Sequence, residues 1–252
     1  MGAAKAGGAA MLFTPEMSGM IDQDRERALG KARSEGGDVV LAAVREAAAR
    51  EGLWVHLGSL AVRGQAIGGG DKLANRGFVI DEAGEVRARY DKIHLFDVDL
   101  ASGERWRESA MYEAGSSAVV VRDTPVGTLG LTICYDLRFP GLFHRLSEAG
   151  ADVIAVPAAF TVPTGKAHWS VLLRARAIEA EAFVIAAAQV GRHEDGRSTY
   201  GHSLVADPWG EVIAEMGDVP GLAFVELDRR RIAEVRARIP VLAHRREIGR
   251  ID

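Results

Sequence analysis

The sequence predicts a layered α/β fold, because strand-like and helix-like segments are mixed along all 252 residues. Apolar residues at helical spacing from Val40 onward predict a helix that ends near Gly52. Residues 54–60 then predict a short strand, and residues 77–80 and 86–90 predict a hairpin.

The rest of the chain continues this mixture. Further strands are predicted at residues 9–14, 118–121, 127–134, 152–156, 182–188, 202–206 and 222–227. Further helices are predicted around Leu142–Ala149, from about Ala167 to Ala177, and around Ile232–Ile239. The triple glycine at 68–70 does not precede a helix, which favours a loop over a phosphate cradle. We expect residues 1–252 to form one domain.

Composition excludes several classes of function. Hydrophobic residues make up 48% of the chain and charged residues 26%, which is typical of soluble globular proteins. A net charge of −4 gives no basic field for nucleic acid, and the longest apolar runs are too short to span a membrane. With a single cysteine no internal disulfide can form, which suits a reducing cytoplasm.

That cysteine, Cys134, follows an apolar strand and precedes a turn into a helix. Corners of this kind expose a side chain and direct backbone N–H groups toward a bound group. A lone cysteine is also commonly a small buried apolar residue. Its position alone therefore leaves two interpretations open, a nucleophile and a residue that fills the core.

Two charged residues also stand just past predicted strands. Glu16 follows residues 9–14, and Lys92 follows residues 86–90. Either one alone is most simply an ordinary surface charge. Because open α/β sheets gather their sites at the carboxyl ends of strands, the two together with Cys134 supply a base, a cation and a nucleophile.

No metal site or cofactor is predicted. The seven histidines show no HExxH spacing, and there are no paired cysteines to complete a zinc site. A GxSxG elbow for a serine hydrolase is missing as well.

Three short motifs occur in order: FTPE at residues 13–16, YDKIHL at 90–95 and GLTICYDLRFP at 130–140. Together they resemble the glutamate, lysine and cysteine motifs of the nitrilase superfamily of carbon-nitrogen hydrolases. The resemblance implies that Glu16, Lys92 and Cys134 form a catalytic triad. Glu108 falls where that family often has a second active-site glutamate.

The resemblance extends nearly end to end, and residues 173–179 and 186–193 are most similar to the branch that holds deaminated glutathione amidase and ω-amidase. It implies a four-layer α-β-β-α sandwich, usually paired into a homodimer or a larger homo-oligomer. Family members open with a strand and a helix before the glutamate motif. The resemblance therefore implies that this chain lacks the first strand and most of the first helix, with residues 1–8 as the end of that helix.

The implied reaction is acyl transfer through a thioester. Glu16 would take the proton of Cys134, the thiolate would attack the amide carbonyl, and ammonia would leave before water repeats the attack. Lys92 and the backbone N–H of Tyr135 would stabilise the oxyanion, and Glu108 would orient Lys92 or the substrate amide.

The implied substrate is a small amide with a carboxylate, similar to deaminated glutathione. Arg138, four residues past the nucleophile, offers a planar fork for that carboxylate, although a structural salt bridge is the alternative. Related enzymes suggest Phe160 and Thr164 as further contacts to a keto acid.

Other functions stay open at this stage. Within the enzymes, ω-amidase activity on α-ketoglutaramate and hydrolysis of a nitrile or an N-carbamoyl compound are alternatives, because pocket loops set the substrate. From a different class, the chain could be a non-catalytic relative that binds a partner, or a folded truncation without activity.

Overall fold

The computed structural model describes residues 1–64, 72–99, 103 and 105–249. The helices are α1 (Gly2–Ala6), α2 (Arg25–Lys31), α3 (Val39–Glu51), α4 (Pro140–Glu148), α5 (Val162–Ala180), α6 (Arg230–Arg238) and α7 (Val241–His244). Short 3-10 helices lie at Glu35–Gly37, Glu108–Ala110 and Cys134–Arg138. The predicted loop at 68–70 lies outside the described residues.

The strands are β1 (Met11–Phe13), β2 (Trp54–Arg63), β3 (Leu73–Ile80), β4 (Val86–Asp91), β5 (Asp97–Asp99), β6 (Arg105–Arg107), β7 (Tyr112–Glu113), β8 (Val119–Thr124), β9 (Gly127–Leu131), β10 (Val153–Ala155), β11 (Phe183–Ala186), β12 (Val190–Arg192), β13 (Ser198–Tyr200), β14 (Leu204–Ala206) and β15 (Val212–Glu215). One sheet has the order β1-β2-β3-β4, with β7 beside β3, and the other has the order β15-β14-β11-β10-β9-β8. Strands β5 and β6 form a separate ribbon, as do β12 and β13.

Alternating side chains along β3 show how the layers stack. Phe78 and Ile80 pack with Leu41 and other residues of α3 on one face of the first sheet. Val79, between them in sequence, points the other way and joins the core of the second sheet. Helices α4 and α5 contribute to that same core, for example through Trp169 of α5. The predicted four-layer α-β-β-α order is therefore present.

Helix α3 begins and ends where local chemistry dictates. The Asp38 carboxylate accepts hydrogen bonds of 2.9 Å from the N–H groups of Val40 and Leu41, which the first turn leaves without helical partners. Gly52 ends the helix in the left-handed region, with a φ of 58° that a side chain would oppose. The predicted end of this helix is confirmed.

Several predicted boundaries were wrong, and two of them lie next to predicted site residues. Helix α5 begins at Val162 rather than near Ala167, because Pro163 fits the first turn, where its missing N–H is not needed. The strand predicted over 127–134 ends at Leu131, and Cys134 starts a 3-10 helix instead of ending the strand.

The strand predicted over residues 222–227 is also wrong. These residues are irregular and exchange no backbone hydrogen bond with any other described residue. A cavity of about 810 Å³ is lined both by this segment and by β1, which stands at the edge of its sheet. An apolar segment becomes a strand only where a neighbouring backbone accepts and donates hydrogen bonds, and residues 222–227 have no such partner in the described structure.

Nothing in the described ranges is a helix long and apolar enough to cross a membrane.

Candidate active site

Four of the predicted site residues follow the carboxyl ends of strands in the two large sheets. Glu16 comes after β1, Lys92 after β4 and Cys134 after β9, while Phe160 follows β10. Strands β9 and β10 run parallel, so their ends lie at one edge of the sheet. The packing of the two sheets then brings the three charged or reactive groups together.

Glu16 is held by close contacts behind its backbone. The N–H of Gly58 donates a 3.0 Å hydrogen bond to Oγ1 of Thr14, two residues before Glu16. A Cβ atom on Gly58 would lie 2.2 Å from the carbonyl oxygen of Thr14, so only glycine permits this approach. On the other side, Nε2 of Gln189 donates a 3.0 Å hydrogen bond to the carbonyl oxygen of Glu16. The turn after β1 is thereby fixed.

Cys134 occupies a strained corner. Its φ is 50°, in the left-handed region that residues other than glycine seldom adopt. The N–H of Cys134 donates a 2.8 Å hydrogen bond to the carbonyl oxygen of Pro157, which anchors the corner to the segment after β10. The side chain is buried and points into the same cavity as Glu16 and Lys92.

The thiol rests in its neutral form. Burial raises the pKa of Cys134 well above its usual value, and the adjacent Glu16 carboxylate raises it further. Lys92 and the backbone N–H of Ala159 act in the opposite direction but do not outweigh burial. The Glu16 carboxylate lines the same cavity as the thiol, so a proton acceptor lies beside it.

Lys92 lies between two carboxylates. Its Nζ is 3.0 Å from Oε1 of Glu16 and 2.8 Å from Oε2 of Glu108, and its side chain is only 2% exposed. Burial alone would lower the pKa of Lys92, but Glu108 and Glu16 raise it well above its usual value. The side chain is therefore a fixed, buried ammonium group.

Asn75 completes this network from β3. Its Nδ2 donates hydrogen bonds of 2.9 Å to Oε1 of Glu16 and 3.2 Å to Oε1 of Glu108. Sequence reasoning gave Asn75 no role. The available signal was an amide side chain within a strand whose other inward residues are apolar, and such a buried polar group needs partners.

Asp136 joins the cysteine motif to the lysine motif. Its carboxylate is fully buried and accepts hydrogen bonds from the hydroxyl of Tyr90, 2.7 Å, and from the backbone N–H groups of Ile133, 2.9 Å, and His94, 3.0 Å. Burial and the charge of Asp136 both raise the pKa of Tyr90, which keeps its hydroxyl protonated as a donor. Asp136 lies within the motif at residues 130–140, but the sequence alone assigns it no function.

A cavity of about 300 Å³ brings the remaining predicted residues to this network. It is lined by Glu16, Lys92, Glu108, Cys134, Tyr135, Arg138, Phe160 and Thr164, among others. The N–H of Tyr135 has no acceptor within the part of the chain that the structure describes, so it can donate to a group in the cavity. All the predicted site residues therefore meet in one place.

Arg138 carries no carboxylate partner among residues 1–64, 72–99, 103 and 105–249. Its two terminal nitrogens each lie 3.3 Å from Nδ1 of His168, and its Cζ lies 5.9 Å from the ring centroid of Tyr135 and 5.6 Å from that of Phe160. Within the described residues Arg138 does not form the structural salt bridge that was the alternative for it. Its guanidinium is stacked on the cavity wall and can accept an anion.

Comparison with known proteins identifies the family. A family model described as carbon-nitrogen hydrolase matches residues 1–237. The chain belongs to the carbon-nitrogen hydrolase family. A glutamate-lysine-cysteine triad is characteristic of this family, and the matched residues include Glu16, Lys92 and Cys134.

Several curated relatives of this carbon-nitrogen hydrolase are named deaminated glutathione amidase. It is 46% identical over 207 residues to the deaminated glutathione amidase of Yersinia enterocolitica, an alignment that covers 82% of this chain and 71% of that protein. It is 41% identical over 239 residues to the deaminated glutathione amidase of Homo sapiens, covering 95% of this chain and 73% of that protein. These relatives support an amidase.

Solved structures agree with the fold. The NitFhit protein of C. elegans has a TM-score of 0.88 and 38% identity, and the match covers 97% of this chain and 58% of that chain. A mutant of the amidase from Nesterenkonia sp. has a TM-score of 0.75 and 26% identity, covering 95% of this chain and 88% of that one. That second structure shows the product of Michael addition of acrylamide at the active-site cysteine.

Proposed function

We propose that this carbon-nitrogen hydrolase cleaves a small, carboxylate-bearing amide through a thioester on Cys134. One observation carries the proposal: the buried thiol lines one cavity with the Glu16 carboxylate and with an ammonium group that two carboxylates hold. A nucleophile, its base and an electrostatic stabiliser thus lie in one cavity. The names of the relatives suggest deaminated glutathione as the substrate.

In the first half of the reaction Glu16 takes the thiol proton as Sγ of Cys134 attacks the amide carbon. The carbon-sulfur bond forms and the carbonyl π electrons move to oxygen. When the tetrahedral intermediate collapses, the carbon-nitrogen bond breaks and the nitrogen takes the proton from Glu16. A primary amide releases ammonia at this step, and a secondary amide releases an amine.

The oxyanion of that intermediate needs donors that are already in position. The ammonium of Lys92 supplies a full charge, and the N–H of Tyr135 supplies a second donor. Preorganised donors of this kind are each worth about 10²-fold to 10³-fold in rate. Because Lys92 is fixed by Glu16 and Glu108, little reorganisation is required when charge develops.

Water completes the cycle by hydrolysing the thioester. Glu16, now free of the proton, takes one from the attacking water and returns it to the sulfur that leaves. Glu108 keeps Lys92 in place, since its Oε2 also accepts a 2.6 Å hydrogen bond from the N–H of Phe96 and cannot swing away. Glu108 therefore serves as a positioning residue for Lys92.

Arg138 supports a substrate with a carboxylate in its acyl half. Its guanidinium lacks a carboxylate partner in the described structure and stands four residues past the nucleophile, with Phe160 and Thr164 on the same cavity wall. Deaminated glutathione is glutathione with an oxo group in place of its amino group. Its scissile bond is a secondary amide, so its leaving group is cysteinylglycine rather than ammonia.

The same observation supports a second candidate, ω-amidase activity. The primary amide α-ketoglutaramate has the same acyl half as deaminated glutathione, and Arg138 would bind its carboxylate in the same way. Cleavage of either compound forms α-ketoglutarate, whereas only the primary amide releases ammonia.

Product analysis with two variants tests the proposal. We expect wild-type enzyme to form α-ketoglutarate from deaminated glutathione, and Cys134→Ala to do so at least about 10³-fold more slowly with an unchanged circular dichroism spectrum. A matched Ser117→Ala variant changes an exposed side chain outside this cavity and should retain activity. Full activity in Cys134→Ala would contradict the thioester.

We also propose a homodimer or a larger homo-oligomer. Helix α5 presents Val171, 67% exposed, and Ile178, 47% exposed, beside Trp209 at 47%. Apolar side chains grouped this way are typical of an interface. Light scattering of Val171→Asp against wild type tests this proposal, and an unchanged mass would contradict an interface on this face.

A cytoplasmic location without nucleic acid or membrane partners stays a prediction.

A further inference from the structure

Three aromatic side chains form a row along one wall of the active-site cavity. This aromatic row consists of Trp106, Phe96 and Tyr135, with ring centroids 6.1 Å apart for Trp106 and Phe96 and 5.0 Å apart for Phe96 and Tyr135. Arg138 stacks at one end, its Cζ 5.9 Å from the Tyr135 ring, and Arg197 stacks at the other, its Cζ 5.4 Å from the Trp106 ring. All five residues line the cavity, so two guanidinium groups mark the two ends of an apolar wall.

Arg197 comes from the tight turn between β12 and β13. Its side chain is 19% exposed, and its Nε lies 3.2 Å from Oδ2 of Asp195. That ion pair lacks the direction of a hydrogen bond, and the guanidinium donates no hydrogen bond to any residue in the described ranges. Asp195 therefore orients Arg197 but leaves its terminal nitrogens to a ligand.

Trp106 adds a second donor at the same end. Its Nε1 is buried and has no hydrogen-bond partner within the described structure. Buried N–H groups without a partner are uncommon because their desolvation costs about 1–3 kcal/mol. The indole and the guanidinium lie against each other, so a single acceptor with two oxygens can satisfy both.

The charge around the cavity favours an anion at this end. Glu16 and Glu108 are both paired with Lys92. Asp22, another lining carboxylate, is paired with Arg27 at 2.6 Å. The lining cations outside the Lys92 network are Arg25, Arg105, Arg107, Arg138 and Arg197. Arg105 and Arg107 both pair with Asp99, and Arg197 pairs with Asp195, but the six lining cations, Lys92 included, still outnumber the carboxylates that line the cavity. An excess of positive charge in a concave site raises the local concentration of anionic ligands.

We propose that Arg197 and Trp106 form a subsite for a carboxylate on the amine side of the scissile bond. The acyl substituent and the amine substituent of an amide extend in opposite directions from the scissile bond. The aromatic row likewise places one guanidinium group at each end, so each cation can bind a carboxylate on one half of the substrate. Arg138 takes the acyl-side carboxylate and Arg197 takes the amine-side one. The inference rests on the proposed amide hydrolysis and predicts that amides with a carboxylate in each half are preferred over amides without the amine-side carboxylate.

Three substrates that share the same acyl half and differ only on the amine side test this subsite separately from the rest of the cavity. Deaminated glutathione has an amine-side carboxylate, its C-terminal carboxamide has a neutral group at that place, and α-ketoglutaramate has no amine-side substituent. All three give the same thioester on Cys134, so the deacylation rate is common to them. A subsite for the leaving group can therefore change only binding and acylation.

We expect Arg197→Gln to lower kcat/KM for deaminated glutathione about 10-fold to 100-fold and to change it less than about twofold for the other two substrates. Trp106→Phe keeps the ring and removes the N–H, and should show the same selectivity at about threefold to tenfold. Arg138→Gln should affect all three substrates. Arg192→Gln, which makes the same charge change on β12 outside the cavity, should affect none.

These measurements distinguish a failure of the proposed function from a failure of the amine-side subsite. If none of the three substrates reacts with wild-type enzyme, the proposed function is wrong. If they react but Arg197→Gln lowers kcat/KM equally for all of them, or for none, the amine-side subsite is wrong. An equal loss in Arg192→Gln would show a general effect of charge and would also overturn it.

Discussion

The hydroxyl of Tyr90 donates a 2.7 Å hydrogen bond to Oδ2 of Asp136 in the middle of the protein. Tyr90 lies two residues before Lys92, and Asp136 lies two residues after Cys134. The distance between the Cys134 thiol and the Lys92 ammonium group therefore depends on this contact between β4 and the 3-10 helix that begins at Cys134. His94 strengthens it, because its Nδ1 lies 2.7 Å from the other oxygen of Asp136.

Removing that hydroxyl should loosen the site. We expect Tyr90→Phe to reduce the free energy of unfolding by about 1–3 kcal/mol, because Asp136 loses one donor in a buried place. Urea denaturation measures this change, and kcat should fall in the same variant. Tyr200→Phe is the control, since the Tyr200 hydroxyl has no hydrogen-bond partner in the described structure. Equal stability of both variants would contradict a role for the contact.

Glu108→Gln removes the negative charge beside Lys92 and keeps the shape of the side chain. Glu108 is the strongest of the groups that raise the pKa of Lys92, so its neutralisation should bring that pKa down toward the working range. Lys92 must be charged to stabilise the oxyanion, so the alkaline limb of the kcat profile should move to lower pH. We also expect kcat to fall about 10²-fold. Glu113→Gln on β7 serves as control, and an unshifted alkaline limb in Glu108→Gln would argue against this role.

Two glycine substitutions test how Glu16 is held. Gly58→Ala places a methyl group against the backbone oxygens of Thr14 and Pro15, at 2.2 Å and 2.4 Å, so β1 or β2 must shift. We expect a loss of about 1–3 kcal/mol or more in the free energy of unfolding, with a lower kcat. Gly30→Ala in α2 meets nothing within 4 Å and should raise stability by up to about 1 kcal/mol. Thermal denaturation compares them, and normal kcat in Gly58→Ala would contradict the tight fit.

His56 should make stability depend on pH. Burial between the sheets lowers its pKa from 6.5 to about 4, so the folded protein holds it neutral. Above pH 6.5 His56 is uncharged in both the folded and the unfolded state, so its protonation does not lower the free energy of unfolding. As the pH falls from 6.5 to about 4 only the unfolded state binds a proton, which removes about 3 kcal/mol of stability. Urea denaturation of His56→Gln should show a shallower loss over that range, and an identical slope would contradict the prediction.

The sequence predicted the parts of the fold that local patterns determine. The helix that ends at Gly52 and the hairpin of β3 and β4 depend on apolar periodicity and on glycine chemistry within a few residues. Residues 222–227 have the same apolar character but form no strand, because a strand depends on a distant backbone that periodicity cannot supply. Tertiary context decides such cases.

The residues of the candidate site also fall into those that local patterns reveal and those that only distant contacts reveal. Glu16, Lys92 and Cys134 could be found because each lies in a short motif just past a strand. Asn75 and Arg197 could not, since their importance comes from partners far away in sequence. Asn75 bonds to Glu16 across 59 positions. Arg197 stacks on Trp106 from a separate ribbon, and the residues around it carry no motif.

Cys134 is the one cysteine in the chain, and it lines the cavity that holds Glu16 and Lys92. A thiol-directed reagent therefore has one possible target per polypeptide. The amount of label incorporated therefore counts accessible cavities directly, with no background from other thiols of the chain. Protection by a candidate ligand then reports occupancy of the cavity even when that ligand is never turned over.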